Sequence, residues 1–175
     1  SDVYKRQYLD RVARIRQAMP DCAITTDIIA GFCGETEQDH QDTLDIMRRV
    51  KYDYAYMFQY SERPGTLAAR NYPDDITPQE KTRRLNEIIA LQNELSLESN
   101  KRDVGKTFKV LIEGTSRRND EELCGRTTTN KMCVFPALLA TENNPADGHK
   151  FFNVGDYTTV KVLSCTSATL ICELV

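Results

Sequence analysis

Between residues 8 and 19, apolar side chains recur at Leu9, Val12, Ile15 and Met19, the spacing of one helix face, and Pro20 closes the run. The period then changes. Residues 22–30 are rich in Ile and Thr, and Ile28 and Ile29 stand side by side. That predicts a strand buried on both faces, as in a parallel sheet. Thr36 is placed to cap a helix with Glu37 and Asp39 in its first turn, and Leu44, Met47 and Val50 mark its inner face. Residues 54–60, YAYMFQY, predict a second strand. Strand, helix and strand make a right-handed βαβ unit with parallel strands. Both strands then end at one edge of the sheet. Residues 31–35 (GFCGE) and 61–65 (SERPG) are therefore expected on a common rim, where parallel α/β folds bind ligands.

Farther along, Thr77 caps a helix with Pro78 at its first position and Glu80 closing a capping box. This helix is expected to reach Arg102, with Leu85, Ile88, Ile89 and Leu95 inward and Gly105 just past its end. Beyond Gly105 the pattern alternates. In residues 106–114, Phe108, Val110 and Ile112 share one side. Further short strands are predicted at 122–127, 132–135, 157–164 and 168–174, which together suggest a small closed barrel. The domain boundary falls near Asp103–Val104.

The chain's 175 residues suit one large domain or two small ones. Net charge is −3, so no overall basic field advertises nucleic acid. The charge is divided unevenly: residues 8–104 hold thirteen bases and seventeen acids, and residues 105–175 hold eight of each. Bases nonetheless gather early in the barrel, at Lys106, Lys109, Arg117, Arg118, Arg126 and Lys131. No apolar run is long enough to span a membrane and no signal-peptide pattern appears, so a cytoplasmic protein is expected. The six cysteines form no C-x-x-C or other tight cluster and read as reduced thiols, several in strands. Residues 1–7, SDVYKRQ, resemble a translated sequencing adaptor and are set aside as a scar, which implies a truncated gene product.

Candidate chemistry concentrates on the rim. The glycines at 31 and 34 either let backbone approach a ligand or simply turn the chain. Glu35 serves either a ligand amine or the N-terminus of the following helix. On the residues alone the structural role is preferred. Arg63, beside Pro64 and Gly65, offers a planar fork to a carboxylate or phosphate. Asp27, inside a strand read as buried, needs a partner. His40 and His149 read as solvated side chains rather than bases.

TTDIIAGFCGETEQD followed by FQYSERPGTLAA resembles the later part of the barrel of radical S-adenosylmethionine tRNA methylthiotransferases. The segments VGKTFKVLIEG, LCGRTTTNKMCVF and GDYTTVKV resemble that family's TRAM domain. The resemblance covers nearly all of residues 8–175. It implies a partial TIM-type α/β barrel, residues 8–104 with its linker helix, followed by a small all-β, OB-like TRAM barrel, residues 105–175.

It also implies an enzyme that adds a methylthio group to carbon 2 of an isopentenylated adenosine beside the anticodon of tRNA. Two 4Fe–4S clusters and S-adenosylmethionine would serve it, generating a radical for an unactivated carbon. By the resemblance, Asp27, Gly31, Gly34, Glu35 and Arg63 lie on the S-adenosylmethionine side. The barrel would grip the tRNA anticodon stem-loop through Lys106, Arg117, Arg118, Arg126, Asn130 and Lys131, with Phe135 either stacking or, by preference, in the core. Two departures stand out. The family's C-x-x-x-C-x-x-C is absent, so this chain alone is expected to be inactive, and Cys33 replaces the family's usual proline. Two other readings stay open: a non-catalytic RNA-binding module, and the relative acting on threonylcarbamoyladenosine, which shares the Arg-x-Gly-Thr pattern.

Overall fold

The structure, a computed structural model, describes residues 2–137 and 152–175. The chain forms two compact units, Ser1–Ser96 and Leu97–Val175. The first contains α1 (Asp2–Ala18), β1 (Thr25–Ala30), α2 (Glu37–Val50), β2 (Tyr54–Gln59), α3 (Leu67–Asn71) and most of α4 (Pro78–Lys101).

Strands β1 and β2 pair in parallel, from Thr25 opposite Tyr54 to Ala30 opposite Gln59, as the βαβ reading requires. Helix α2 starts where its sequence says it should. The Thr36 hydroxyl accepts the Asp39 N–H, and the Asp39 carboxylate accepts the Thr36 N–H at 2.9 Å. The Thr36 hydroxyl also donates to that carboxylate at 2.6 Å, and this bond first, then the one from the Thr36 N–H, holds the Asp39 carboxyl below its ordinary range. Leu44, Met47 and Val50 are buried as predicted. Helix α1 starts earlier than its pattern suggested. Residues 3–7, set aside as a scar, are helical, and Lys5 reaches Asp42 and Asp45 of α2 at 3.3 and 3.2 Å. Only part of its predicted stripe is covered: Val12 is buried and Leu9 packs on the core, while Ile15 and Met19 are exposed.

Three expectations need correction. First, β1 is not buried on both faces. Helices cover the side carrying Ala30 and Ala55, while Asp27, Ile29, Tyr54, Tyr56 and Phe58 stand exposed on the other. The described unit has only two strands and packs its helices against one face of them. Asp27 therefore sits in solvent and needs no buried partner. Second, His40 is not solvated. It is wholly buried, with Nε2 2.8 Å from Glu87 Oε2, and this hydrogen bond lowers the Glu87 pKa. Third, the capping box of α4 is half made. Thr77 accepts the Glu80 N–H at 3.3 Å, but the Glu80 carboxylate turns to Arg83 and Arg84, and Arg83 first of all draws its pKa down to about 2.

The inner face of α4 mixes Ile88 and Leu95 with Lys81, Arg84, Gln92 and Ser96. These polar groups bond to backbone as well as to each other, although Gln92 Oε1 is buried without a partner among the described residues. Gln92 donates to the Tyr52 carbonyl and to Ser96 Oγ, both at 3.0 Å, and Ser96 donates to the Asp53 carbonyl at 2.9 Å.

The second unit is a closed barrel of β3 (Thr107–Thr115), β4 (Glu122–Thr127), β5 (Met132–Pro136), β6 (Tyr157–Cys165) and β7 (Leu170–Leu174), in the order β3-β4-β5-β7-β6. All pairs are antiparallel except β5–β7. Alternation along the strands turns Val110, Ile112, Phe135, Val160, Val162 and Leu170 inward, where each is nearly or wholly buried. Each contributes about 1.5–3 kcal/mol by leaving water. Phe135 is therefore core and not a stacking platform. Gly125 is dictated by close approach: a Cβ there would lie 2.3 Å from the Leu111 carbonyl oxygen. His149 lies outside the described residues.

Candidate cofactor rim and nucleic-acid surface

The two loops expected on one rim do meet. Each follows the C-terminal end of its parallel strand, and the Tyr60 N–H donates to the Ala30 carbonyl at 2.8 Å. The Phe32 and Tyr60 rings pack edge to face with centroids 5.0 Å apart. Gly31, Gly34 and Gly65 all carry positive φ, 75°, 75° and 84°, so each turn needs glycine. Gly31 is also crowded: a Cβ there would come within 2.4 Å of Lys81 Cγ.

The loop at 31–35 is held from within. Glu35 Oε2 accepts the Gly31 N–H at 2.5 Å and Arg84 Nη1 at 2.9 Å, and the same Nη1 donates to the Glu35 carbonyl at 2.8 Å. Glu35 thus closes its own turn, a role distinct from both sequence readings. Burial works against the Arg84 charge, but bonds to Glu35 and Glu80 outweigh it and raise the Arg84 pKa. Gly34 donates its N–H to Asp75 at 2.8 Å. The second loop is fastened by Lys81, whose Nζ donates to both Asp74 carboxylate oxygens at 2.6 Å and to the Tyr60 carbonyl at 3.3 Å. Among the described residues the buried Tyr60 hydroxyl has no hydrogen-bond partner, and the neighbouring Cys33 thiol pushes its pKa up.

Arg63 is exposed, and its guanidinium forms no ion pair among the described residues. Its carbonyl accepts the Thr66 hydroxyl at 2.9 Å, while Thr66 caps α3. Asp27 lies three residues before the end of β1, exposed on the open sheet face beside Tyr56, its register partner. The rim therefore offers the exposed Glu62 carboxylate, the exposed Arg63 guanidinium and glycine backbone, with the exposed Asp27 carboxylate farther back on the open face. That donor set fits an amino-acid zwitterion with a cationic sulfur, as in S-adenosylmethionine. It does not fit an iron–sulfur cluster: among the described residues no group of three or more His, Cys, Asp or Glu could hold a metal.

On the barrel, the predicted bases part company. Arg117 and Arg118 are exposed in the β3–β4 turn without ion-pair partners among the described residues. Asn130 is exposed at the β4–β5 turn with φ 61°. Arg126 is partly engaged, with Nε 3.3 Å from Glu113 and Nη1 donating to the Asn130 carbonyl at 3.1 Å. Lys106 is half exposed and 3.0 Å from Asp103. Lys131 is turned inward. Its Nζ donates to Asp103 at 2.6 Å and to Ser99 Oγ at 2.8 Å, tying the end of α4 to the β4–β5 turn. Burial raises the Asp103 pKa, but Lys131 and Lys106 outweigh it and leave it below the ordinary carboxylate value. Sequence reasoning overlooked Lys81 and Arg84. Their 81/84/88 spacing with Ile88 was the available signal, since charged residues in register with an apolar stripe lie on the buried face.

A five-stranded barrel that follows a long helix defines the class, and residues 101–175 match the TRAM domain family. The chain as a whole is homologous to tRNA methylthiotransferases, as a C-terminal portion of them. It is 53% identical over 171 residues to the tRNA-2-methylthio-N(6)-dimethylallyladenosine synthase of Porphyromonas gingivalis, covering 98% of this chain and 34% of that protein. The synthase of Parabacteroides distasonis is 51% identical over 171 residues, with 97% of this chain and 35% of that protein covered. That of Chlorobium phaeobacteroides is 48% identical over 167 residues, covering 95% and 35%. The chain thus spans about a third of the length of these curated relatives.

Proposed function

We propose that this chain is the C-terminal part of an enzyme that methylthiolates carbon 2 of N6-isopentenylated adenosine in tRNA. The observation that carries this is the similarity to the synthases along nearly the whole chain, through both rim loops and the TRAM barrel alike. The first unit is then the later part of a radical S-adenosylmethionine barrel. Its open sheet face, with Asp27, Ile29, Tyr56 and Phe58, becomes the barrel interior, because the helices occupy the outside.

In the complete enzyme, S-adenosylmethionine and iron–sulfur clusters supply the one-electron chemistry that an unactivated C–H bond demands. The cluster ligands come from outside this chain. Asp27 would hold an ammonium, Arg63 a carboxylate, and the 31–34 backbone would approach the nucleoside. Glu35 acts through the turn it closes, keeping that backbone in place. The TRAM barrel grips the anticodon stem-loop through phosphate contacts from Arg117 and Arg118, supplemented by Lys106, Arg126 and Asn130. Lys131 supports that surface from beneath. A cytoplasmic enzyme fits this substrate, and among the described residues no helix is long and apolar enough to cross a membrane.

The test is a chimera in which this chain replaces the matching third of the Porphyromonas gingivalis synthase. It is expressed in a strain lacking the synthase, and tRNA nucleosides are read by mass spectrometry. Methylthiolated isopentenyl adenosine is expected. Unmodified isopentenyl adenosine, with both clusters loaded, contradicts the assignment. Product on threonylcarbamoyladenosine instead would move the substrate and keep the chemistry.

A further inference from the structure

We infer that Lys81 and Arg84, two neighbours on the buried face of α4, are positioning residues that preset both rim loops for the cofactor. Neither touches the proposed ligand; each acts through a loop. The inference rests on the assignment of this rim to S-adenosylmethionine.

Arg84 faces the first loop. It is 6% exposed and Glu35 is 12% exposed, so their ion pair is nearly dry. Through Glu35 it fixes the Gly31 N–H and the Glu35 carbonyl at once. Its Nε meanwhile donates to Glu80 at 2.9 Å, which sets the plane of the guanidinium. Lys81 faces the second loop, holding Asp74 and the Tyr60 carbonyl, with its ammonium 5.1 Å from the centroid of the Tyr60 ring. Its stem fills the space beside Gly31 where a Cβ would stand. The two side chains are three residues apart, so one rigid helical turn sets the spacing between the loops.

Stability alone does not call for this arrangement. A buried ion pair is often no better than a well-packed apolar pair of similar volume. What the charged pair supplies is direction. A planar guanidinium with assigned partners on two sides holds backbone atoms in one place, which an apolar contact does not. Pre-formed loops spare the ordering that a ligand would otherwise have to impose.

The experiment uses the chimeric holoenzyme with reconstituted clusters. It compares the paired variants Glu35→Gln/Arg84→Met and Lys81→Met/Asp74→Asn, each of which removes both charges so that none is left buried alone. Asn86→Ala, an exposed change on the same helix, is the control. Equilibrium dialysis reads the Kd for S-adenosylmethionine, filter binding reads the Kd for tRNA, and hydrogen exchange reads the amides of residues 31–35 and 59–62.

Each paired variant is expected to raise the S-adenosylmethionine Kd on the order of tenfold. Each should also speed exchange in its own loop, leave tRNA affinity within about twofold, and leave the control unchanged. Arg84→Lys, which keeps the charge but loses the fork, should fall between wild type and the pair. It is read in place of the pair should that variant fail to accumulate. An unchanged S-adenosylmethionine Kd in the variants, with the wild-type chimera binding normally, overturns the inference alone. A parallel loss of both ligands marks a general folding role and overturns it too. A wild-type chimera that binds no S-adenosylmethionine with its clusters intact overturns the underlying assignment of the rim.

Discussion

The two units solve the problem of strand edges in opposite ways. The barrel closes on itself, so each strand has two neighbours and each inward side chain meets other inward side chains. The βαβ unit presents a two-stranded sheet with helices on one face and Ile29, Tyr54, Tyr56 and Phe58 open on the other. The first arrangement satisfies its own hydrogen bonds and hides its own apolar surface. The second has unpaired strand edges and an uncovered aromatic face, both of which invite association. The lesson is that the barrel covers its own strands, whereas the βαβ unit, among the described residues, leaves one face of its sheet and its outer strand edges uncovered.

The largest expected effect tests the barrel's self-sufficiency. Phe135→Ala removes the largest fully buried side chain among the described residues and should destabilise that unit by about 3–5 kcal/mol. Hydrogen exchange should report the loss in β3–β7 and leave the β1 and β2 amides as they were. Equal loss in both units would dissolve the contrast.

Next in size is the clip under the β4–β5 turn. Lys131→Met leaves Asp103 buried without its 2.6 Å partner and should destabilise the barrel by about 1–3 kcal/mol, read from chemical denaturation. A second change, Asp103→Leu, should restore most of that loss, since two apolar groups replace a buried pair well.

The pH dependence of the same clip is smaller. The native Asp103 pKa is depressed, so its contribution is complete above the unfolded-state value near 3.9 and fades as pH falls through the lower native value. Denaturation midpoints between about pH 4 and 2 should therefore fall less steeply in Asp103→Asn than in wild type. Parallel curves would remove the ion pair from the account.

Phe58→Lys on the open face should shift stability by no more than about 0.5 kcal/mol while reducing concentration-dependent association seen by sedimentation. Smallest in free energy, Arg117→Ala/Arg118→Ala should leave the barrel's stability unchanged. It should lower the salt dependence of tRNA binding, reducing the slope by about 0.7–0.9 for each phosphate no longer neutralised.

Legibility in the sequence followed the same divide. Alternation at Phe108, Val110 and Ile112 pointed inward, and those positions do face the core, because a small barrel keeps one buried face per strand. Thr36 and Asp39 were readable because capping is local chemistry. The βαβ order and the shared rim were readable for topological reasons. Burial in the first unit was harder to read. Ile28 and Ile29 gave the pattern of a fully covered strand, yet the helices pack on one face only and Ile29 is exposed on the other. His40, Lys81, Arg84 and Gln92 are residues that usually face water, and only tertiary partners reveal them as interior. Glu35 was placed on the rim correctly, but its carboxylate is turned back onto its own loop, which no local spacing announces.

The most direct measurement is hydrogen exchange on the chimeric holoenzyme, with S-adenosylmethionine and tRNA added separately. The account predicts that S-adenosylmethionine slows exchange at residues 31–35 and 61–65, and that tRNA slows it around residues 116–119 and 128–131. Protection of neither rim loop by S-adenosylmethionine, in a holoenzyme that demonstrably binds it, would contradict the account.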